Sequence, residues 1–420
     1  MTLIAAHSLS LSAQWVNQTS GTTAKLRAVQ FLDASNGYAG GNAGTVLKTT
    51  NGGTTWTNVS IPGVTAPVMD ISFVNATTGW AAIGDTSGFS SGIWKTSNGG
   101  TSWTSQTSGS TTSRLCISFV SDQIGWASGA DVPIKFNHTT NGGTSYTIQP
   151  VSNIYGWVYA LDAVDANTVY TAMPVQFTQS GLVAKSTNGG STWTAVWGDG
   201  GSGSGSPGNK IPYLYAMDFV NASTGYVVGF TGSIHATTNG GTSWTTQSSN
   251  TTEHLDGVSF ATSTTGFICG RNGTIRSTTN GGTAWTTETS GVTVNLQDVS
   301  AVIGSASTIA WAVGDNGTIL KGTAPLGISE ASSAELINVY PNPSHDYASI
   351  EVPAAHNLSG NSLKVYDVLG RDVTNKVSVQ LIQTGEVARF DIALHLDKGV
   401  YSFVVTNNDA PVTNGRLIVN

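Results

Sequence analysis

Three aspartates carry the strongest case for chemistry in this chain of 420 residues. Asp70 and Asp298 occupy the same place in two copies of a short apolar-alternating run, VMDISF and LQDVSA. Asp256 stands one place earlier in a third copy, LDGVSF. Hydrolysis of a glycosidic bond generally takes two carboxyl groups roughly 5–10 Å apart, one on each side of the bond. If the chain were a hydrolase, Asp70, Asp256 and Asp298 would be its acids. The surrounding sequence speaks against it: only Glu253 and Glu288 are glutamates before residue 324, and Asp33, Asp122 and Asp165 fall at turn positions. No His, Cys and carboxylate set has metal-ligand spacing, so no metal or other cofactor is expected. Cys116 and Cys269 fall in distant repeats, too far apart for the approach of about 7 Å that a disulfide requires, and are expected as buried free thiols. His138 and His235 are expected as ordinary strand residues.

A second set suits binding. Lys25, Arg27, Arg114, Tyr155, Trp157, Tyr213, Tyr215, His254 and Arg271 fall just before apolar runs or between the second and third of them, where Asp85, Asp131 and Asp315 also occur. Arginines interleaved with aromatic rings could hold an anionic group, a sugar or a partner peptide. The net charge of −7, with 10% charged residues and no basic run, excludes nucleic acid as an expected partner. No stretch of about 18 apolar residues suggests a membrane span.

The elements that must position these residues are written in a repeated phrase. TTNGGTTWT begins at Thr49 and recurs with small changes from Thr96, Thr139, Ser186, Thr237 and Thr278. Its constant positions are Asn51, Gly53 and Trp56; Asn98, Gly100 and Trp103; Asn141, Gly143 and Tyr146; Asn188, Gly190 and Trp193; Asn239, Gly241 and Trp244; and Asn280, Gly282 and Trp285. Asn-Gly and Gly-Gly supply the positive φ of a tight hairpin, so the phrase is expected to clasp the third and fourth strands of a unit. Around each phrase lie strand-length alternating runs punctuated by Gly, Asn or Thr. The anchoring aromatic returns every 41 to 51 residues. Four short strands per unit at that period predict propeller blades. A seventh unit starts at Leu296 and stops at Thr323 without its fourth strand. Gln14-Trp15-Val16-Asn17-Gln18-Thr19 resembles Ser102-Trp103-Thr104-Ser105-Gln106-Thr107, so the N-terminal strand is expected to complete blade seven. Lys48, Lys95, Lys185 and Lys321 recur on third strands, a periodicity that suggests a packing or solvated role.

The pattern Ser/Thr-x-Asn-x-Gly-x-x-Trp resembles the Asp-box, or BNR repeat, with Asn where Asp is common. The whole unit resembles the photosystem II assembly and stability factor type of propeller over residues 14–323. The resemblance implies an all-β, seven-bladed propeller and says little of function, because Asp-boxes serve sialidases, xyloglucanases, receptors and assembly factors alike. The arginine cluster and Arg-Ile-Pro-like motif of a sialidase are missing.

Beyond a polar linker, residues 324–337, short β-patterned runs predict a small Ig-like β-sandwich over 338–420. Val339-Tyr340-Pro341-Asn342-Pro343, Val365-Tyr366-Asp367 to Gly370-Arg371, Gly399-Val400-Tyr401 and Arg416-Leu417-Ile418-Val419 closely resemble the type A C-terminal sorting domain of the type IX secretion system. That resemblance implies the type IX machinery as partner, export by a Gram-negative bacterium of the Bacteroidetes type, and removal of the domain at the surface. Residues 1–13 read as the remnant of a signal peptide. The expectation is a secreted or cell-surface monomer that binds a surface protein or polysaccharide and catalyses nothing; the alternative is an extracellular glycoside hydrolase.

Overall fold

The repeated phrase builds one turn six times. In its first copy the N–H of Gly53 donates to Thr49 Oγ1 (2.9 Å), which itself donates to Asn51 Oδ1 (3.0 Å). The same Asn oxygen accepts the N–H of Thr55 (2.9 Å). Gly52 and Gly53 have φ of 66° and 87°, a region where a Cβ is strained. Equivalent bonds hold Asn98, Asn141, Asn188, Asn239 and Asn280. Each turn joins a third strand to a fourth, as Val46–Thr49 to Thr57–Asn58.

The computed structural model describes residues 15–84, 91–109, 112–151, 156–175, 180–198, 211–304, 307–325, 338–340, 346–353, 363–366, 373–384, 387–407 and 410–419. The leader expected at 1–13, Asp85 and Tyr155 lie outside them. The chain divides into two compact units, residues 1–304 with 308–324 and residues 305–307 with 325–420.

The first unit is all-β, with four-stranded antiparallel sheets arranged like propeller blades. Their first strands, in order, are Leu26–Phe31, Val68–Phe73, Arg114–Phe119, Ala160–Ala163, Leu214–Phe219, Leu255–Phe260 and Leu296–Ile303. In the last sheet the fourth strand comes from the other end of the chain: Val16–Gln18 pairs with Ile319–Pro325 in the register Val16 to Lys321. Trp15 is buried there and meets Phe267 edge-on at 5.7 Å.

Neighbouring sheets are bolted together at one sequence position. In each six-residue run that carries a first strand (VYALDA, from Val158, in the fourth sheet), the fifth residue accepts the N–H of the sixth residue in the next sheet's run. Gln30 takes Phe73 N–H, Ser72 takes Phe119, Ser118 takes Ala163 and Asp162 takes Phe219. Asp218 takes Phe260, Ser259 takes Ala301, and Ser300 takes Phe31. A first strand has an unpaired edge, and an orphaned buried N–H costs about 1–3 kcal/mol, so these side chains do for the inner strands what a neighbouring strand would do. The aromatics repeat the same relation: Phe31 stacks on Trp311 at 3.4 Å and meets Trp56 edge-on at 5.8 Å, and Phe73 relates likewise to Tyr38 and Trp103.

The periodic lysines pack as expected. Lys95 Nζ donates to Gly142 O in the next sheet's turn (2.8 Å) and lies 5.0 Å over the Trp80 ring. Lys321 does the same at Gly52 O (2.9 Å).

The second unit holds a four-stranded sheet, in which Tyr347–Pro353 and Val387–Leu394 are central, and a three-stranded sheet of Leu363–Tyr366, Gly399–Asn407 and Ala410–Val419. Ile350 and Phe390 from one sheet share a core with Val365, Phe403 and Leu417 from the other.

Candidate functional site

The first strands of the sheets in the first unit line a cavity of about 800 Å³. Its wall carries the aspartates that drew attention in the sequence. Asp70 accepts the N–H of Ile117 in the next sheet with Oδ2 and of Ile71 with Oδ1, both at 2.8 Å. Asp298 does the same with Val29 and Val299, also at 2.8 Å. Burial pushes Asp70 up to about 7 and Asp298 up to about 8, against which the N–H bonds pull only partly. Those values would suit a general acid at neutral pH. However, each carboxyl already bonds a backbone N–H through both oxygens, so both act as fasteners between or within sheets.

Two further carboxyls lie on the same wall. Asp162 and Asp218 stand next to last in their strands, and burial raises both. Sequence reading passed over them because their runs, VYALDA and LYAMDF, place Asp where other copies have Ser or Gln. Superposing the copies would have found them. Asp256 is different: it lies at the cavity mouth, 3.7 Å from Arg271, and burial raises its carboxyl against the pull of that guanidinium.

Around the mouth the structure collects part of the expected binding set. Arg27 lines the cavity and its Nε donates to Asn42 Oδ1 (2.8 Å). Lys25 pairs with Asp315 at 3.0 Å. Tyr215 meets Tyr159 edge-on at 6.2 Å, and lies 6.0 Å from the His254 ring. His254 packs on Phe230 at 4.4 Å, and Phe230 on Tyr213 at 6.3 Å. Tyr159 and Phe230 were not singled out in the sequence, since a ring's neighbours across two sheets leave no local pattern. Trp157 is half-buried, and Tyr155 lies outside the described residues.

Arg114 must be corrected as a ligand-facing residue. It is fully buried, paired with Asp131 and bonded to Asn137 Oδ1 (2.7 Å) and Thr112. A guanidinium stays charged in proteins and needs partners wherever it is buried, and the polar groups of its own sheet provide them. Cys116 and Cys269 are buried free thiols, and burial raises both. His235 is buried in its strand and pushed down to about 4. Among the described residues no group of His, Cys, Asp and Glu could hold a metal ion, and no helix is long and apolar enough to cross a membrane.

Comparison with known proteins agrees with this architecture. Residues 338–420 match the secretion system C-terminal sorting domain. The protein is therefore secreted or attached at the outer-membrane surface of a Bacteroidetes bacterium. Among solved structures, YCF48 bound to D1 peptide is 15% identical and covers 77% of this chain and 97% of its own, with a TM-score of 0.56. YCF48 from Cyanidioschyzon merolae is 15% identical over 73% of this chain and 98% of its own, with a TM-score of 0.57. The WD40 β-propeller domain of Doa1 is also similar, at 15% identity, 74% and 97% coverage and a TM-score of 0.53. No curated protein sequence matches the chain. Residues 56–206 and 208–288, more than half of the chain, match the photosynthesis system II assembly factor YCF48 family, and the chain belongs to it.

Proposed function

We propose that residues 14–323 form a seven-bladed propeller closed by the N-terminal strand, which works outside the cell as a non-catalytic binding or scaffold module through its loop face. Residues 338–420 are an Ig-like sandwich that delivers it to the type IX machinery and is removed at the surface. The observation that carries this reading is the contrast within one cavity: the carboxyls on its wall are engaged by backbone N–H groups, while its mouth presents Arg27, Arg271 and a run of aromatic rings. A relative of this type has been solved with a D1 peptide bound, so the architecture is compatible with holding another molecule.

The test is a cross-linked capture from the native cell surface and medium with the full chain as bait. Alongside it runs a variant carrying Arg27→Ala, Tyr215→Ala and Arg271→Ala. A protein or polysaccharide held by the parent and lost by the variant is the expected result. Equal capture, or no capture, overturns the loop-face assignment, and hydrolysis of a glycan by the parent would revive Asp70, Asp256 and Asp298 as acids.

A further inference from the structure

Five rings form an unbroken strip from the cavity wall to the rim: Tyr159, Tyr215, His254, Phe230 and Tyr213, with successive centroid separations of 6.2, 6.0, 4.4 and 6.3 Å. Tyr159 and Tyr215 line the cavity, and Phe230, 41% exposed, stands at the outer lip. Three of these contacts also cross between sheets, but the regular stack that recurs from sheet to sheet, as of Phe73 on Tyr38 and Phe119 on Trp80, is made by other residues.

The backbone beneath the strip is strained. Thr231 has φ 52° and ψ 41°, a left-handed conformation that a β-branched residue adopts at a cost of about 1–3 kcal/mol. Its N–H donates to His254 Nδ1 (3.1 Å). That bond makes Nδ1 the acceptor, so the neutral ring carries its proton on Nε2. That bond holds the His254 ring in place before anything binds, which lowers the ordering cost of binding.

Two of the three cations beside the strip already face a carboxylate, while Arg27 donates to the neutral Asn42. Arg271 is paired with Asp256 and Lys25 with Asp315, so an anionic ligand would have to compete with a carboxylate already in place. An extended peptide adding itself as a strand would need free N–H groups on the inner strands. Those at the sixth position are taken by side chains from the preceding sheet, and those of Ile117 and Val29 are taken as well. A ligand matched to these conditions has apolar faces for the rings, many uncharged hydroxyls for the paired Arg271 and Asp256, and no net charge. The geometry points to a neutral pyranose oligosaccharide, laid along the strip from Tyr159 to Tyr213. This rests on the loop-face reading above and gives it a ligand class.

The test uses the full chain in affinity gel electrophoresis, with glucomannan, xyloglucan and amylopectin as neutral probes and alginate and polygalacturonate as charged ones. At least one neutral polymer should retard the protein, and the retardation should persist in high salt. Tyr215→Ala and Phe230→Ala should each weaken it about tenfold, the value of one aromatic contact. Phe230 stands on the exposed lip, so its variant folds if any does, and thermal unfolding checks both. Ile148→Ser, on an outer strand, should migrate as the parent does. Retardation by the charged polymers alone, released by salt, overturns the proposal, as does failure of every neutral polymer or a Phe230→Ala variant that binds like the parent. If surface capture succeeds while the neutral polymers fail, loop-face binding stands and only the ligand class falls; if both fail, both fall.

Discussion

Asp298 and Asp70 show how a residue type that suggests catalysis can serve architecture instead. Each holds a backbone N–H of the following sheet on the cavity wall, and burial keeps its proton on to about pH 8 and about pH 7. The unfolded chain releases that proton near pH 4. The native state therefore binds more protons between those values, and stability is fully present below about pH 4 and lost as pH rises through 7 and 8. Thermal or urea unfolding from pH 5 to pH 9 is expected to show a loss on the order of a few kcal/mol. The double variant Asp70→Asn, Asp298→Asn keeps an oxygen acceptor at both places and should make that slope shallower, leaving the part that Asp162 and Asp218 contribute. A slope unchanged in the variant would remove these two carboxyls from the account. The Asn clasp, by contrast, was legible from sequence, since Thr49, Asn51 and Gly53 act on one another within five residues.

At the scale of the element, the N-terminal strand is the informative one. Three residues, Val16–Gln18, supply the outer edge of a sheet whose other strands begin at Leu296. Trp15 fills the place that Trp56 or Trp103 fills elsewhere, and it packs against Phe267, Leu296 and Leu320. Trp15→Ala is expected to cost about 3–5 kcal/mol, measured by chemical unfolding, and deletion of residues 15–19 should lower Tm further. An unchanged Tm would mean that the strand is an ornament. The likeness of QWVNQT to SWTSQT made the pairing readable, although its partner strand lies at the far end of the chain. Where a copy drifts, as at Ala163 and Ala301 in place of Phe, the backbone bond survives and the ring stack does not, because an N–H needs no particular side chain.

The whole molecule combines a propeller of the YCF48 type with a secretion tail, and the two units carry separate jobs. Removal of residues 338–420 should leave the first unit folded, because its sheets draw no strand from the second. It should also stop the protein reaching the surface, with accumulation in the periplasm seen by fractionation. Normal secretion of the truncated chain would show that the tail is not the export signal here.

By itself the sequence determined the turns, the four-strand unit, the order of the sheets and the tail motifs. These rest on alternation and on turn chemistry, which act between residues a few places apart and are repeated often enough to be read. Only the tertiary structure decided that Arg114 is buried in its sheet, that Asp162 and Asp218 join the wall, and that Tyr159 and Phe230 extend the aromatic strip. Those outcomes depend on which side chains meet across neighbouring sheets, as Val29 and Asp298 do from 269 residues apart. A local pattern specifies which way a strand faces, whereas the partner waiting there is set by the packing of the next sheet.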